Sequence, residues 1–155
     1  MHTTHTCDVE ERKLRQRWMA TLARALPEEV EEAWERLPEK PAYVFLRAPQ
    51  VGLAMVRGRA GSTGEAFNLG EMTMTRASVR LDCGAQGHGY VSGRRPRHAE
   101  LCAVFDALAL TPVWRDEILA RVVRPLEASA LVRREARSLE TEGTRVEFFT
   151  MARGE

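Results

Sequence analysis

The sequence predicts an α+β fold: an antiparallel meander with an N-terminal helical hairpin, a buried central helix, further C-terminal helices and a terminal apolar strand or tail. Three observations carry this. Apolar residues recur at helical spacing before residue 38, glycine-punctuated runs alternate with period two between 42 and 92, and Ala99–Leu110 is almost continuously apolar.

Asp8 and Glu11 have capping-box spacing, and Leu14, Trp18, Leu22 and Ala25 follow as one stripe, so a first helix is expected over Asp8–Ala25. Pro27 with Glu28 and Glu29 starts a second, whose stripe Val30, Ala33, Trp34 and Leu37 ends before Pro38. The pattern then changes to short β-like runs: Ala42–Arg47, Val51–Arg57, Glu65–Leu69, Met72–Leu81 and Gly87–Val91. Pro-Gln, Gly-Ser-Thr-Gly, Gly-Glu and Asp-Cys-Gly breaks separate them. Gly93 and Pro96 end the sheet. The apolar run Ala99–Leu110 has no polar face to spare, which places it in the middle of the molecule. Thr111-Pro112 with Asp116 and Glu117 starts another helix, which Pro125 must kink or stop, and a last helix spans about Leu126 to Glu140. Gly143 ends it, and Arg145–Met151 reads as a strand apolar on both faces that needs cover from its own sheet or a neighbour. No repeat or linker interrupts the chain, so one domain over 1–155 is expected: hairpin 8–38, sheet 42–92, helices 97–141 and tail 144–155.

Composition narrows the function classes. A chain of 155 residues with net charge +1 has no global field for nucleic acid or an anionic membrane, so any anion site must be local. No run approaches the roughly 20 apolar residues of a membrane span, and the N-terminus lacks a signal-peptide core. Cys7, Cys83 and Cys102 are odd in number and widely spaced, as expected of free thiols in a cytoplasmic protein. Lys13 and Lys40 are the only lysines; the remaining cations are arginines, suited to bidentate contact with phosphate or carboxylate.

Three segments are candidates for chemistry. Gly58–Phe67 sets glycines around Ser62 and Thr63, either an anion-cradling loop or a plain glycine-rich hairpin; it lacks the Lys-Ser/Thr ending of a Walker loop. In Met72–Leu81, alternation projects Arg76, Ser78 and Arg80 from one face at about 7 Å spacing, to hold an anion or a partner's carboxylate or simply to meet solvent. Arg94, Arg95, Arg97 and His98 crowd a helix start, where cations oppose the dipole. Glu100, an acidic partner or a bound phosphate would compensate. His98-Ala-Glu100 matches the opening of zinc nucleobase deaminases, but no Pro-Cys-x-x-Cys follows. His98, Cys102 and Asp106 share one helical stripe, as a relay, a weak metal site or a satisfied buried histidine. No catalytic residue is assigned, and no metal site.

The stretch Gly61–Leu81, with STGEAFNLGEMTMTRASVRL after the glycine, resembles the central motif of carbon–phosphorus lyase G subunits, the PhnG family. Val91-Ser-Gly-Arg94 leading to His98-Ala-Glu100 and Asp106-Ala-Leu108 resembles a second family block, and Arg145–Gly154 its C-terminal signature; Arg17-Trp18-Met19 fits the opening helix. Arg95-Pro96-Arg97 and His88-Gly89 before Tyr90 depart from the pattern. The resemblance implies a core of G, H, I and J subunits, two copies of each, working with K and L. In the first step an alkylphosphonate displaces the adenine of ATP, giving alpha-D-ribose 1-methylphosphonate 5-triphosphate. The I subunit is implied as catalyst with G, H and L beside it, and the J subunit carries the iron–sulfur cluster and S-adenosylmethionine. This chain would bind no cofactor alone, have no independent activity, and be structural or site-completing. Its candidate contacts are Gly61, Thr63, Gly64, Glu65, Arg76, Arg80, Gly93, Arg94, His98 and Glu100, with Arg145, Phe148, Phe149, Met151 and Arg153 in the tail. The competing reading is a free-standing anion- or nucleotide-binding or regulatory protein.

Overall fold

The computed structural model describes residues 3–59, 61 and 64–143. Helices α1 (Thr3–Arg24) and α2 (Pro27–Glu35) precede strands β1 (Tyr43–Arg59), β2 (Ala66–Leu81) and β3 (Gln86–Ser92). Helices α3 (Pro96–Leu110), α4 (Pro112–Ile118) and α5 (Arg124–Gly143) follow, with a π turn at Leu119–Val123 joining the last two. The strands form one antiparallel sheet in the order β1-β2-β3, the expected meander.

The five expected β runs merge into three strands. Pro49 does not end β1, because β1 is an edge strand on which a missing N–H is tolerated, and the ladder absorbs the irregularity as register shifts between Phe45 and Gln50. Gly70-Glu71 likewise continues β2. Helix α1 begins ahead of Asp8, because neither glycine nor proline stands in Thr3–Cys7 to break it. Proline 125 does not stop the last helix either. Its ring would collide with the carbonyl four residues back in an α-helix; ahead of it the backbone widens so that the Arg124 N–H donates to the Leu119 carbonyl, five residues back. The expected tail strand, with Arg145, Phe148, Phe149, Met151 and Arg153, lies outside the described residues, as does Thr63.

Helix α3 is the centre: Ala99, Leu101–Ala109 and His98 are all buried, and α1, α2, α4 and the three strands pack around it. It lies on the sheet face that carries Thr75, Ala77, Val79, Gly87, Gly89 and Val91. A Cβ at Gly87 would stand 2.0 Å from the Ala103 carbonyl oxygen, and one at Gly89 2.0 Å from that of Ala99. Only glycine admits that approach, which the alanines at 99, 103 and 107 match from the helix side. Trp18, Leu22, Val30 and Trp34 close the core from the N-terminal hairpin, and Trp34 meets the Phe105 ring edge-on at 6.3 Å.

Polar clamps fix the outer helices. Arg115 donates to the Ala109 carbonyl at the end of α3 (3.0 Å) and to Glu11 of α1 (2.8 Å). Arg17 of α1 forms a bidentate pair with Glu127 of α5, both contacts at 2.7 Å. Glu29 of α2 accepts from the Leu26 N–H and from Ser129 and Arg133 of α5. Burial alone would raise the Glu29 pKa, but these bonds outweigh it and hold it below the usual carboxylate range. No helix among the described residues is long and apolar enough to cross a membrane.

The glycine seam gives a direct stability test. Gly89→Ala forces helix and strand apart and is expected to cost roughly 1–3 kcal/mol or more. Gly52→Ala, where a Cβ meets nothing within 4 Å, is expected to be neutral; urea denaturation of both variants distinguishes them.

Candidate functional site

The three candidate segments occupy different parts of the fold. Gly61, Gly64 and Glu65 belong to the tip of the β1–β2 hairpin, and Gly61 has φ +69°, a left-handed turn conformation that favours glycine. The ladder closes at Arg59 and Ala66. Seven residue steps along extended β2 lead from Ala66 to Thr73, whose carbonyl accepts the Gly93 N–H, so the tip stands about 25 Å from the start of α3. One anion cannot touch both.

Strand β2 alternates as expected. Thr75, Ala77, Val79 and Leu81 are buried, while Arg76 and Arg80 are exposed and Ser78 is half-buried. The register sets Arg76 opposite Tyr90 and Gln50, and Ser78 opposite His88 and Arg47. The Ser78 Oγ lies 2.9 Å from His88 Nδ1. Neither Arg76 nor Arg80 has an acidic partner among the described residues.

At the start of α3, Gly93 takes φ +81°, and Thr75 fastens the turn from below. Its hydroxyl donates to the Gly93 carbonyl (2.6 Å) and accepts the Arg95 N–H (3.0 Å). Pro96 occupies the first turn. Arg97 is neutralised within the chain: it makes a bidentate contact to Glu31 (3.1 and 3.0 Å), pairs with Glu100 at 3.2 Å, and lies over the Trp34 ring at 5.8 Å. Its hydrogen bonds to Glu31 raise the guanidinium pKa and lower that of Glu31. Glu100 also accepts from the Tyr43 hydroxyl, and burial together with that bond pushes the Tyr43 pKa up to about 12. Glu100 and Glu31 therefore compensate Arg97, which leaves Arg94 and Arg95 as exposed cations there with no acidic partner among the described residues.

His98 is inside the protein, 3% exposed, with Nε2 2.8 Å from the Leu22 carbonyl oxygen at the end of α1. With Nε2–H donating, Nδ1 is a buried nitrogen without a partner. Desolvation lowers the His98 pKa, and Arg95 adds to the effect; the Leu22 bond and Glu28 oppose it. Cys102 is buried as well, and burial, then the nearby Asp106 charge, pushes its thiol up to about 12, so it is unreactive. The His98–Cys102–Asp106 stripe is not a relay, because each end bonds elsewhere. No group of three or more His, Cys, Asp or Glu among the described residues is placed to hold a metal ion.

Sequence reasoning placed Asp106 on a stripe with His98 and Cys102 but did not find its donors. Asp106 is fully buried and takes four donors: Arg15 Nε (3.2 Å) and Nη2 (2.8 Å), the Trp18 indole N–H (2.9 Å) and the His88 backbone N–H (2.9 Å). It joins α3 to α1 and β3. The available signal was an aspartate in an otherwise apolar helix, which demands buried donors, and an Arg-x-x-Trp pair on one face of the first helix supplies them. The arrangement also holds Arg15 beside the outer edge of β3.

The geometry defines a class first: a small α+β protein built around one buried helix, with a long β arm and, among the described residues, no nucleophile, base and orienting acid in mutual contact. A family model described as "Phosphonate metabolism protein PhnG" matches residues 13–154. A protein of Rhizobium meliloti (strain 1021), named alpha-D-ribose 1-methylphosphonate 5-triphosphate synthase subunit PhnG, is 44% identical over 144 residues, covering 91% of this chain and 90% of that protein. The chain belongs to the PhnG family.

Two tests follow from this geometry. Asp106→Ala leaves Arg15 and two buried donors unanswered and is expected to cost about 3–5 kcal/mol in chemical denaturation. For His98 the folded pKa lies below the unfolded value near 6.5. Its stabilising contribution is therefore complete above about pH 6.5 and is lost as pH falls towards the folded pKa, because the unfolded chain takes up a proton that the native state refuses. His98→Gln, which keeps an N–H for the Leu22 carbonyl without titrating, is expected to flatten the stability curve below about pH 6.5.

Proposed function

We propose that this chain is a noncatalytic or site-completing subunit of an assembly that makes alpha-D-ribose 1-methylphosphonate 5-triphosphate in the cytoplasm during phosphonate catabolism. Its partners are the H, I and J subunits, with two copies of each in a core, and the K and L subunits of the same system. ATP is a substrate of the assembly, the iron–sulfur cluster and S-adenosylmethionine belong to the J subunit, and this chain acts as one domain without a cofactor of its own. Family membership supports the pathway, and the relative's name supports the subunit role.

The structural observation that carries the reading is the distal half of the β1–β2 hairpin. Among the described residues β3 pairs with Met74–Arg80, and beyond it β1 and β2 continue as a two-stranded ribbon. Val51, Leu53 and Met55 alternate onto the face that α3 covers nearer the root, but here none of the described residues covers them: Leu53 is 68% exposed and Met55 54%. Phe67 and Leu69 are exposed on β2 as well, Leu69 at 66%. A two-stranded ribbon is marginal alone in water, and contiguous apolar exposure of this kind marks an interaction surface. Contacts through Gly61–Glu65 at the tip, Arg76 and Arg80 on the open face, Arg94 at the start of α3, and the 145–155 tail complete the proposed interface.

Co-expression with the H, I and J subunits followed by size-exclusion chromatography tests this. The unaltered chain is expected to co-elute in a stoichiometric complex, and Leu53→Asp with Leu69→Asp to elute alone with unchanged circular dichroism. A doubly substituted chain that still co-elutes assigns the ribbon no part in assembly; an unaltered chain that stays apart sinks the subunit reading.

A further inference from the structure

A groove of about 320 Å³ runs between α1 and β3, on the side of the molecule where Asp106 holds Arg15. Arg12, Arg15, Gln16 and Met19 line it from one stripe of α1, and His88 and Tyr90 line it from β3. Among the described residues no carboxylate lines it. Asp106 lies behind Arg15, fully buried, and its bidentate contact uses Nε and Nη2. The Arg15 Nη1 is left with both hydrogens, in a guanidinium whose plane is already fixed and which is about a third exposed.

The other donors are also uncommitted. Arg12 has no ion-pair or hydrogen-bond partner among the described residues, unlike Arg17, Arg36, Arg97, Arg115, Arg121 and Arg133, each of which meets a glutamate. His88 engages Ser78 through Nδ1; with the serine hydroxyl donating, Nε2–H is a further donor. The Tyr90 hydroxyl and the Gln16 amide complete the set, and Arg76 stands across the register from Tyr90.

We infer that this groove is a binding site for a small phosphate-type oxyanion, either inorganic phosphate or the phosphoryl group of a monoester. Two guanidiniums, an imidazole, a phenol and an amide present more donors than the two oxygens of a carboxylate can use, and they suit the three or four oxygens of a tetrahedral anion. The buried Asp106 neutralises Arg15 while presenting it, so selectivity comes from preorganised donors rather than from bulk charge. The groove is separate from the apolar ribbon, and the inference does not depend on assembly.

Isothermal titration calorimetry of the full chain at fixed ionic strength, with inorganic phosphate, glycerol 3-phosphate and sodium acetate as probes, tests it. Saturable binding of phosphate or the monoester, with acetate much weaker, is expected, and whichever of the two binds more tightly identifies the source. Arg12→Ala, on an exposed helix face where alanine preserves the fold, is expected to weaken binding about tenfold. Tyr90→Phe is expected to weaken it a few-fold, and Arg36→Ala, just past the end of α2, to leave it unchanged. Absence of saturable heat, equal binding of acetate, or indifference to Arg12→Ala would overturn the site. If the chain binds none of the probes and Arg12→Glu instead abolishes co-elution with the partner subunits, the groove belongs to an acidic protein surface and the proposal fails.

Discussion

The fold depends on one buried carboxylate finding its donors. Burying a charge is costly unless it is paired and hydrogen-bonded, and Asp106 sits in the most enclosed helix of the molecule. Its four donors come from a helix 88 residues earlier and from the outer edge of the last strand. Satisfying it therefore fixes how α1 lies across α3 and closes the backbone edge of β3 at His88. An apolar residue of similar volume would remove the cost but also the directional constraint, since apolar contacts alone allow α1 to slide along α3.

The glycine seam works with this charge. Gly87 and Gly89 let α3 approach so closely that its backbone carbonyls stand where side chains would be, and this brings Asp106 within reach of the His88 N–H. Close approach also confines α3 to the root of the sheet. The hairpin continues past it with apolar residues that no other described residue covers, so the packing that makes the core compact leaves an apolar arm exposed.

Charge is distributed unevenly. Six arginines of the helical shell, Arg17, Arg36, Arg97, Arg115, Arg121 and Arg133, meet glutamates at single contacts or as bidentate pairs, and such exposed pairs contribute little to stability. The open sheet face and the neighbouring stripe of α1 instead hold Arg12, Arg76 and Arg80 without acids among the described residues. Holding positive charge apart in this way is costly in self-repulsion and useful only where an anion or an acidic surface arrives. A PhnG-family protein thus presents two chemically distinct surfaces, an apolar ribbon and a donor-rich face.

Much of this was legible in the sequence. Local rules determined the helix starts at Pro27, Pro96 and Pro112, the period-two face of Arg76, Ser78 and Arg80, and the burial of Ala99–Leu110, because each depends on neighbours within a few residues. Family motifs carried the pathway. Where the structure differs, local punctuation was outweighed: Pro49 is tolerated because β1 is an edge, and of the two outcomes expected at Pro125 the helix does not stop, because a π turn precedes it. His98, one of the candidate contacts, is enclosed because the end of α1 packs over it, which spacing within α3 cannot reveal. The Asp106 hub, the groove beside Arg15 and the separation of the hairpin tip from the start of α3 were decided only in three dimensions. They join residues dozens of positions apart, and close backbone packing, invisible to periodicity, determines which of those residues meet.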